Sequence, residues 1–167
     1  MPSIPRRQTG LFHLAAPLAR VLPLFTARGE RSWVPDWNPA MLSGAEERGS
    51  VFQTRSGDAA GDDGDVGDAG RHGDARGRVT TWIVIDHRPS EGCVSYARLA
   101  EGSSMGLVDV VCAEAPEGGT DVSVAYTLTP LNAEAAADVE EFLAPLRYQR
   151  MMDEWQAATG AALARGA

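Results

Sequence analysis

Between residues 120 and 129 the chain alternates strictly, with Val122, Val124, Tyr126 and Leu128 on one face of an extended segment and Ser123, Ala125, Thr127 and Thr129 on the other. A period of two marks a strand with one buried face and one at least partly wet face. Val79 to Asp86, Cys93 to Ala100 and Met105 to Glu114 also read as strands, and the connectors among these four are RPSEG, EGSS and APEGG. Links this short join antiparallel neighbours, since a parallel pair needs a crossover of about a dozen residues or more. The four therefore form an antiparallel meander. Gln8 to Ala15 and Ser50 to Arg55 are two further, shorter strand candidates.

After residue 132 the period changes. Val139, Phe142, Leu143, Leu146, Tyr148, Met151, Met152, Trp155, Thr159 and Leu163 recur at the three- and four-residue spacing of a helix with one buried face. Pro145 cannot bond the Glu141 carbonyl, which predicts a kink or break between a shorter first piece and a main helix from Leu146 to Ala164. That helix would be about 28 Å long, the width of a small domain. Leu18 to Phe25 has helical spacing too, and Thr26 to Pro39 (TARGERSWVPDWNP) is dense in turn formers. Trp33 and Trp37, four residues apart, are placed to stack on one side of a short helical turn, with Pro35 ruling out a long one. The only long amphipathic helix covers the buried sheet face, giving a two-layer α+β domain.

At 167 residues and 44% hydrophobic, the chain fits one domain over residues 1–167, with a core that needs neither metal nor disulfide. Residues 1–7 read as a flexible tail. The stretch from Gly57 to Gly77 holds six aspartates against two arginines and so supplies −4 of the net −8. Its Gly/Asp composition cannot bury enough apolar surface to offset chain ordering, so it is expected to be a disordered loop tip. What remains is mildly acidic and carries no basic stripe, which argues against nucleic acid and anionic membrane surfaces as partners. No apolar run approaches the ~20 residues of a membrane span. Arg6 and Arg7 precede an apolar stretch as in a signal peptide, but His13, Pro17, Arg20 and Pro23 interrupt it, so it reads as mature protein. With two cysteines and no secretory signal, the cytoplasm is the expected compartment. All fifteen basic residues are arginine, which removes every lysine-based mechanism.

Several local patterns suggest chemistry and most dissolve in context. Gly102-Ser103-Ser104-Met105-Gly106 matches G-x-S-x-G, yet a strand follows it instead of a helix and no histidine comes later, so it reads as a hairpin turn. Asp86 and His87 adjoin at a strand end, where neighbouring side chains take opposite faces and are poorly placed to act together as an acid/base pair. His13 and His72 lack ligand-spaced company, and the insertion's Asp-Asp-Gly-Asp-x-Gly-Asp lacks the ordered spacing of a calcium loop; no metal site is expected. A turn centred between Gly102 and Ser103 would set Cys93 opposite Cys112, within reach of a cross-strand disulfide.

With its elements in this order the chain resembles the SRPBCC superfamily, also called START-like or Bet v 1-like, and within it the bacterial polyketide-cyclase-like and Aha1-like branches. The resemblance runs from Gln8 to Leu163. It is carried by Pro17 and Phe25, by Thr26, Gly29, Glu30, Trp33, Trp37 and Pro39 in TARGERSWVPDWNP, by Val51, Phe52, Thr81, Trp82 and Tyr96, by Gly119, Thr120 and Tyr126, and by Trp155. The Gly-Glu-x-x-Trp-x-x-x-Trp-x-Pro string is its most specific part. The acidic insertion and Pro145 depart from the pattern.

The resemblance implies the helix-grip fold, a curved antiparallel β-sheet wrapped around a long C-terminal α-helix, with a cavity between them for a hydrophobic or lipid-like small molecule and no cofactor. Trp33, Trp37, Trp82, Tyr96, Arg98, Tyr126, Tyr148, Met152 and Trp155 lie on elements that would surround this cavity. Arg98 shares a strand face with Tyr96; that face is either concave, where the guanidinium would seek an anionic partner, or outward and solvated. The break at Pro145 is expected to set how open the cavity mouth is. Binding of a hydrophobic molecule is the leading expectation. The alternatives are a polyketide cyclase or dehydratase using Tyr96, Tyr126 and Arg98 to orient a carbonyl, and an Aha1-like regulatory domain that docks on a protein through an exposed apolar patch.

Overall fold

The computed structural model describes residues 3–55 and 79–167. Strand β1 (Arg6–Leu14) leads into a short helix α1 (Leu18–Val21) and two 3-10 turns, Leu22–Phe25 and Gly29–Ser32. Strands β2 (Ala40–Ser43), β3 (Val51–Arg55), β4 (Val79–Arg88), β5 (Cys93–Ala100), β6 (Ser104–Glu114) and β7 (Thr120–Pro130) follow, then helices α2 (Ala133–Phe142) and α3 (Pro145–Ala164). The sheet has seven strands in the order β1-β7-β6-β5-β4-β3-β2, antiparallel throughout, and α3 lies on its inner face. This is the helix-grip α+β fold.

The meander of β4 to β7 follows the sequence expectation closely. The first strand instead pairs with the last, from Arg6 opposite Leu128 to Leu14 opposite Thr120. Arg6 and Arg7 thus belong to β1 and not to a tail; Arg7 Nη1 donates to Thr127 Oγ1 at 2.9 Å. Strand β2 has no counterpart in the sequence pattern, because four residues without alternation carry no period to detect. The acidic stretch from Gly57 to Gly77, with His72 and the calcium-like run, lies outside the described residues.

A register detail decides the cysteines. Cys93 pairs with Val111, not Cys112, a slip of one residue from the expected hairpin centre. One residue turns a side chain to the other face of a sheet. Cys112 therefore lies inward with Val108 and Val110 while Cys93 lies outward, and both are free thiols. Burial pushes the Cys112 thiol up to about 12.

At the C-terminus the break is complete. The Asn132 side chain caps α2 by accepting from Ala135 N at 2.8 Å, and the helix closes where Ala144 N bonds the Glu141 carbonyl at 3.2 Å. Pro145 then stands at the first position of α3, where a missing N–H costs nothing. The face buried by α3 comprises Tyr148, Met151, Met152, Trp155, Thr159 and Ala162. Leu146, expected in that stripe, is 84% exposed; two residues before Tyr148 is about 200° round the helix, so it faces solvent. Gly10 of β1 lets α3 sit directly on the sheet, since a Cβ there would stand 2.3 Å from Met152 Cγ.

Candidate functional site

The site begins with the string TARGERSW. The Thr26 hydroxyl donates to the Pro23 carbonyl at 3.0 Å and accepts from Gly29 N at 3.1 Å, closing one 3-10 turn against the next. A Cβ on Gly29 would stand 1.8 Å from the Pro23 carbonyl oxygen, so only glycine fits this approach of backbone to backbone. Trp33 Nε1 donates to Leu24 O at 2.6 Å and Trp37 Nε1 to Ala27 O at 2.7 Å. The two indoles do not stack as expected. The turn ends at Ser32 and Asp36 takes a left-handed φ of 57°, so the side chains diverge. Trp33 goes to Phe25 and Trp155, with ring centroids at 5.8 and 5.0 Å, and Trp37 goes to Phe52 and Trp82 at 6.4 and 6.2 Å.

Between this segment, the sheet and α3 lies a cavity. The turn segment contributes Ala27, Glu30 and Trp37, the sheet contributes Phe52, Trp82, Tyr96, Val108, Val110 and Tyr126, and α3 contributes Trp155. The inward positions alternate along each strand, as a single buried face requires. Phe52 and Trp82 stack at 5.8 Å and 4°, and the Tyr96 ring stands edge-on to both. The cavity volume is about 10 Å³, room for one water.

Five of the nine residues singled out from the sequence meet in this wall: Trp37, Trp82, Tyr96, Tyr126 and Trp155. The other four lie elsewhere. Trp33 is 8% exposed and fixed in the core by its bond to Leu24 O. Tyr148 donates to Val124 O at 3.1 Å, and Met152 packs over Gly10 with no exposed surface. These two sit where α3 touches β1, so their side chains fill the helix–sheet contact and leave no gap. Arg98 is 2% exposed, on the inner face with Val94 and Tyr96, which decides between the two faces the sequence left open. Its guanidinium carbon lies 5.5 Å from the centre of the Trp82 ring, beside the cavity wall and not within it.

Glu30 is the lining residue that sequence reasoning missed. It was legible only as part of the Gly-Glu-x-x-Trp string, where its chemistry had no context. The residue is partly buried, and burial alone, with no offsetting charge or hydrogen bond among the described residues, pushes its carboxyl well above the usual carboxylate range. Across the cavity the Tyr96 hydroxyl donates to Phe25 O at 2.8 Å. Burial first, then the charges of Glu30 and Glu46, raise that phenol well above its ordinary value. The Trp155 indole N–H is buried with no acceptor among the described residues. The wall therefore offers aromatic faces and one carboxyl whose pKa is raised by burial, and the Trp155 residue that closes it carries a buried donor without an acceptor among the described residues.

Elsewhere the chemistry is thin. Asp86 bonds Arg88 at 2.9 Å and His87 Nδ1 meets Glu46 O at 3.0 Å, so the adjacent pair is divided, and Ser104 opens β6 fully buried. No three His, Cys, Asp or Glu side chains among the described residues converge on a metal-sized site. A surface groove of about 560 Å³ lies at the Pro145 break, lined by Arg6, Arg7, Glu140, Leu143, Ala144 and Pro145. It shares no residue with the aromatic cavity, so the break does not form that cavity's mouth. On the outer sheet face Ile83, Leu99, Met105 and Leu107 are 40–53% exposed and adjoin through the pairings Ile83–Ala97–Leu107 and Leu99–Met105. None of the described helices is long and apolar enough to cross a membrane.

No family model matches the sequence, and no curated protein sequence matches it. Solved structures do match. The Zhui aromatase/cyclase from Streptomyces sp. R1128 superposes with a TM-score of 0.67 at 15% identity, over 97% of this chain and 96% of that one. Ginseng major latex-like protein 151 from Panax ginseng gives 0.64 at 12% identity over 95% and 97%. Norcoclaurine synthase from Thalictrum flavum gives 0.64 at 8% identity over 98% and 88%. At these identities the likeness is one of fold, and it extends over nearly the whole chain.

Proposed function

We propose that this protein binds a hydrophobic small molecule between the sheet and α3, in the cavity walled by Trp37, Phe52, Trp82, Tyr96, Tyr126 and Trp155. The observation that carries the reading is the convergence of these six aromatic residues, from the turn segment, four strands and the C-terminal helix, on one gap beside a single carboxyl. Ligand sites usually run to about 300–1,000 Å³. At about 10 Å³ the cavity has room for one water, so binding requires a ligand to displace part of the wall. The side most easily displaced is the turn segment with Glu30 and Trp37, which is held by short 3-10 turns and a few hydrogen bonds, whereas the opposite wall is continuous sheet.

Titration with the apolar fluorophore N-phenyl-1-naphthylamine tests the reading. The expected result is saturable one-to-one binding, weakened several-fold by Tyr126→Ala or Trp155→Ala. Fluorescence that rises without saturation refutes it.

A second reading, a cyclase or dehydratase acting on a polyketide-like carbonyl compound, gains support from Glu30. A carboxyl whose pKa is raised by burial, beside Tyr96, is suited to general acid catalysis. With a linear poly-β-keto thioester as substrate, formation of an aromatic product at an undiminished rate by Glu30→Gln removes that role.

A further inference from the structure

Two of the polar groups lining the cavity are committed to the protein itself, since the Tyr96 hydroxyl donates to Phe25 O and Trp37 Nε1 to Ala27 O. Trp155 Nε1 is not. The residue is 3% exposed and lines the cavity, and its N–H finds no acceptor among the described residues. An indole N–H can only donate, and a buried donor without an acceptor is destabilising, so an oxygen brought in by a ligand would be favoured there. Glu30 sets the charge. No cation among the described residues offsets its burial, and its carboxyl holds a proton well above the usual range. No Arg, Lys or His is among the residues lining the cavity, so a ligand carboxylate entering it would lose its water and find no cation in the wall to offset that loss. The buried cation nearby, Arg98, lies over the Trp82 ring outside the cavity wall.

We propose that the ligand is a neutral, flat aromatic molecule bearing a carbonyl or similar oxygen acceptor, and that this oxygen seats on Trp155 Nε1. The inference rests on the ligand-binding reading above and adds the polarity, charge and anchoring atom of the ligand. Aromatic walls select a flat body, the unclaimed N–H selects an acceptor, and a wall without a cation selects against an anion.

Calorimetric titration of the full chain with 2-acetylnaphthalene, 2-isopropylnaphthalene and 2-naphthoate separates these elements. The first two share a shape and differ in the acceptor; the third is an anion. Trp155→Phe is expected to weaken the ketone about 5- to 10-fold, the worth of one neutral hydrogen bond, and the hydrocarbon by less than about 2-fold. In the wild-type protein, the ketone and not the hydrocarbon is expected to shift one of the four indole N–H proton resonances downfield, a readout that does not depend on the variant folding. Equal weakening of both ligands, or identical indole spectra with both, overturns the Trp155 assignment. Naphthoate binding as tightly as the ketone overturns the selection against anions. If none of the three binds, the ligand-binding reading falls and this inference with it; if the hydrocarbon binds and the ketone gains nothing from Trp155, only this inference falls.

Discussion

Glu30 sits in an environment that disfavours its ionised side chain. Its carboxyl lines an aromatic cavity with burial as the sole cause of its raised pKa. The consequence for stability has a definite sign. A group that binds its proton more tightly in the folded state contributes fully below its unfolded pKa, here near 4.5, and loses that contribution as pH rises through the folded value. Glutamine carries no such titration. Urea denaturation from pH 4.5 upward is therefore expected to show Glu30→Gln gaining stability relative to wild type as pH rises. Curves that stay parallel would mean the carboxyl is not desolvated. Gly29 beside it matters for the side chain it lacks. Without a Cβ, one 3-10 turn packs on the Pro23 carbonyl, and that contact holds Glu30 in the wall.

Among the elements, α3 and β1 define the closed end of the molecule. Tyr148 and Met152 descend onto Gly10, and this contact explains why two residues with the right helical spacing for a cavity wall are core instead. A methyl group at residue 10 would press on a side chain with no exposed surface. Gly10→Ala is expected to cost about 1–3 kcal/mol in chemical denaturation, the usual penalty for overpacking. In a Met152→Ala background the same substitution should cost less, because the contacts with Met152 Cγ and Sδ are gone and only the approach to Tyr148 Cε1 at 3.0 Å remains. Equal costs in both backgrounds would place the strain elsewhere. At the other end of the helix–sheet interface, Trp155 meets Trp33 and Phe25 and leaves the gap that forms the site.

At the scale of the whole molecule, the fold is a sheet closed over a helix, and the position of the first strand gives it that shape. By pairing with β7, β1 places the N-terminus beside the last strand and under α3. The cavity is what remains where bulky aromatic groups from opposite sides do not quite meet. The strands β4 to β7, the broken C-terminal helix and the two-layer class were legible in the sequence, because each depends on local period and on the chemistry of proline and glycine. Five of the nine residues singled out from the sequence lie together around the gap, since inward alternation on a strand or helix face brings large side chains toward the same core. The sequence could not separate wall from core. Tyr148 and Met152 share a helical face with Trp155, and only the close seating of α3 on Gly10 distinguishes them. Nor could it assign Glu30, an acidic residue in a turn segment, whose pKa is raised by burial among residues most of which lie more than twenty positions away in sequence. Cys93 and Cys112 make the same point in a hairpin. Local pattern identified both strands, and a single residue of register, set by pairing across the sheet, turned the two thiols to opposite faces. Periodicity is a property of neighbours along the chain and is written in the sequence; cavity walls, charge states and register depend on which distant groups meet, and that is decided only when the layers close.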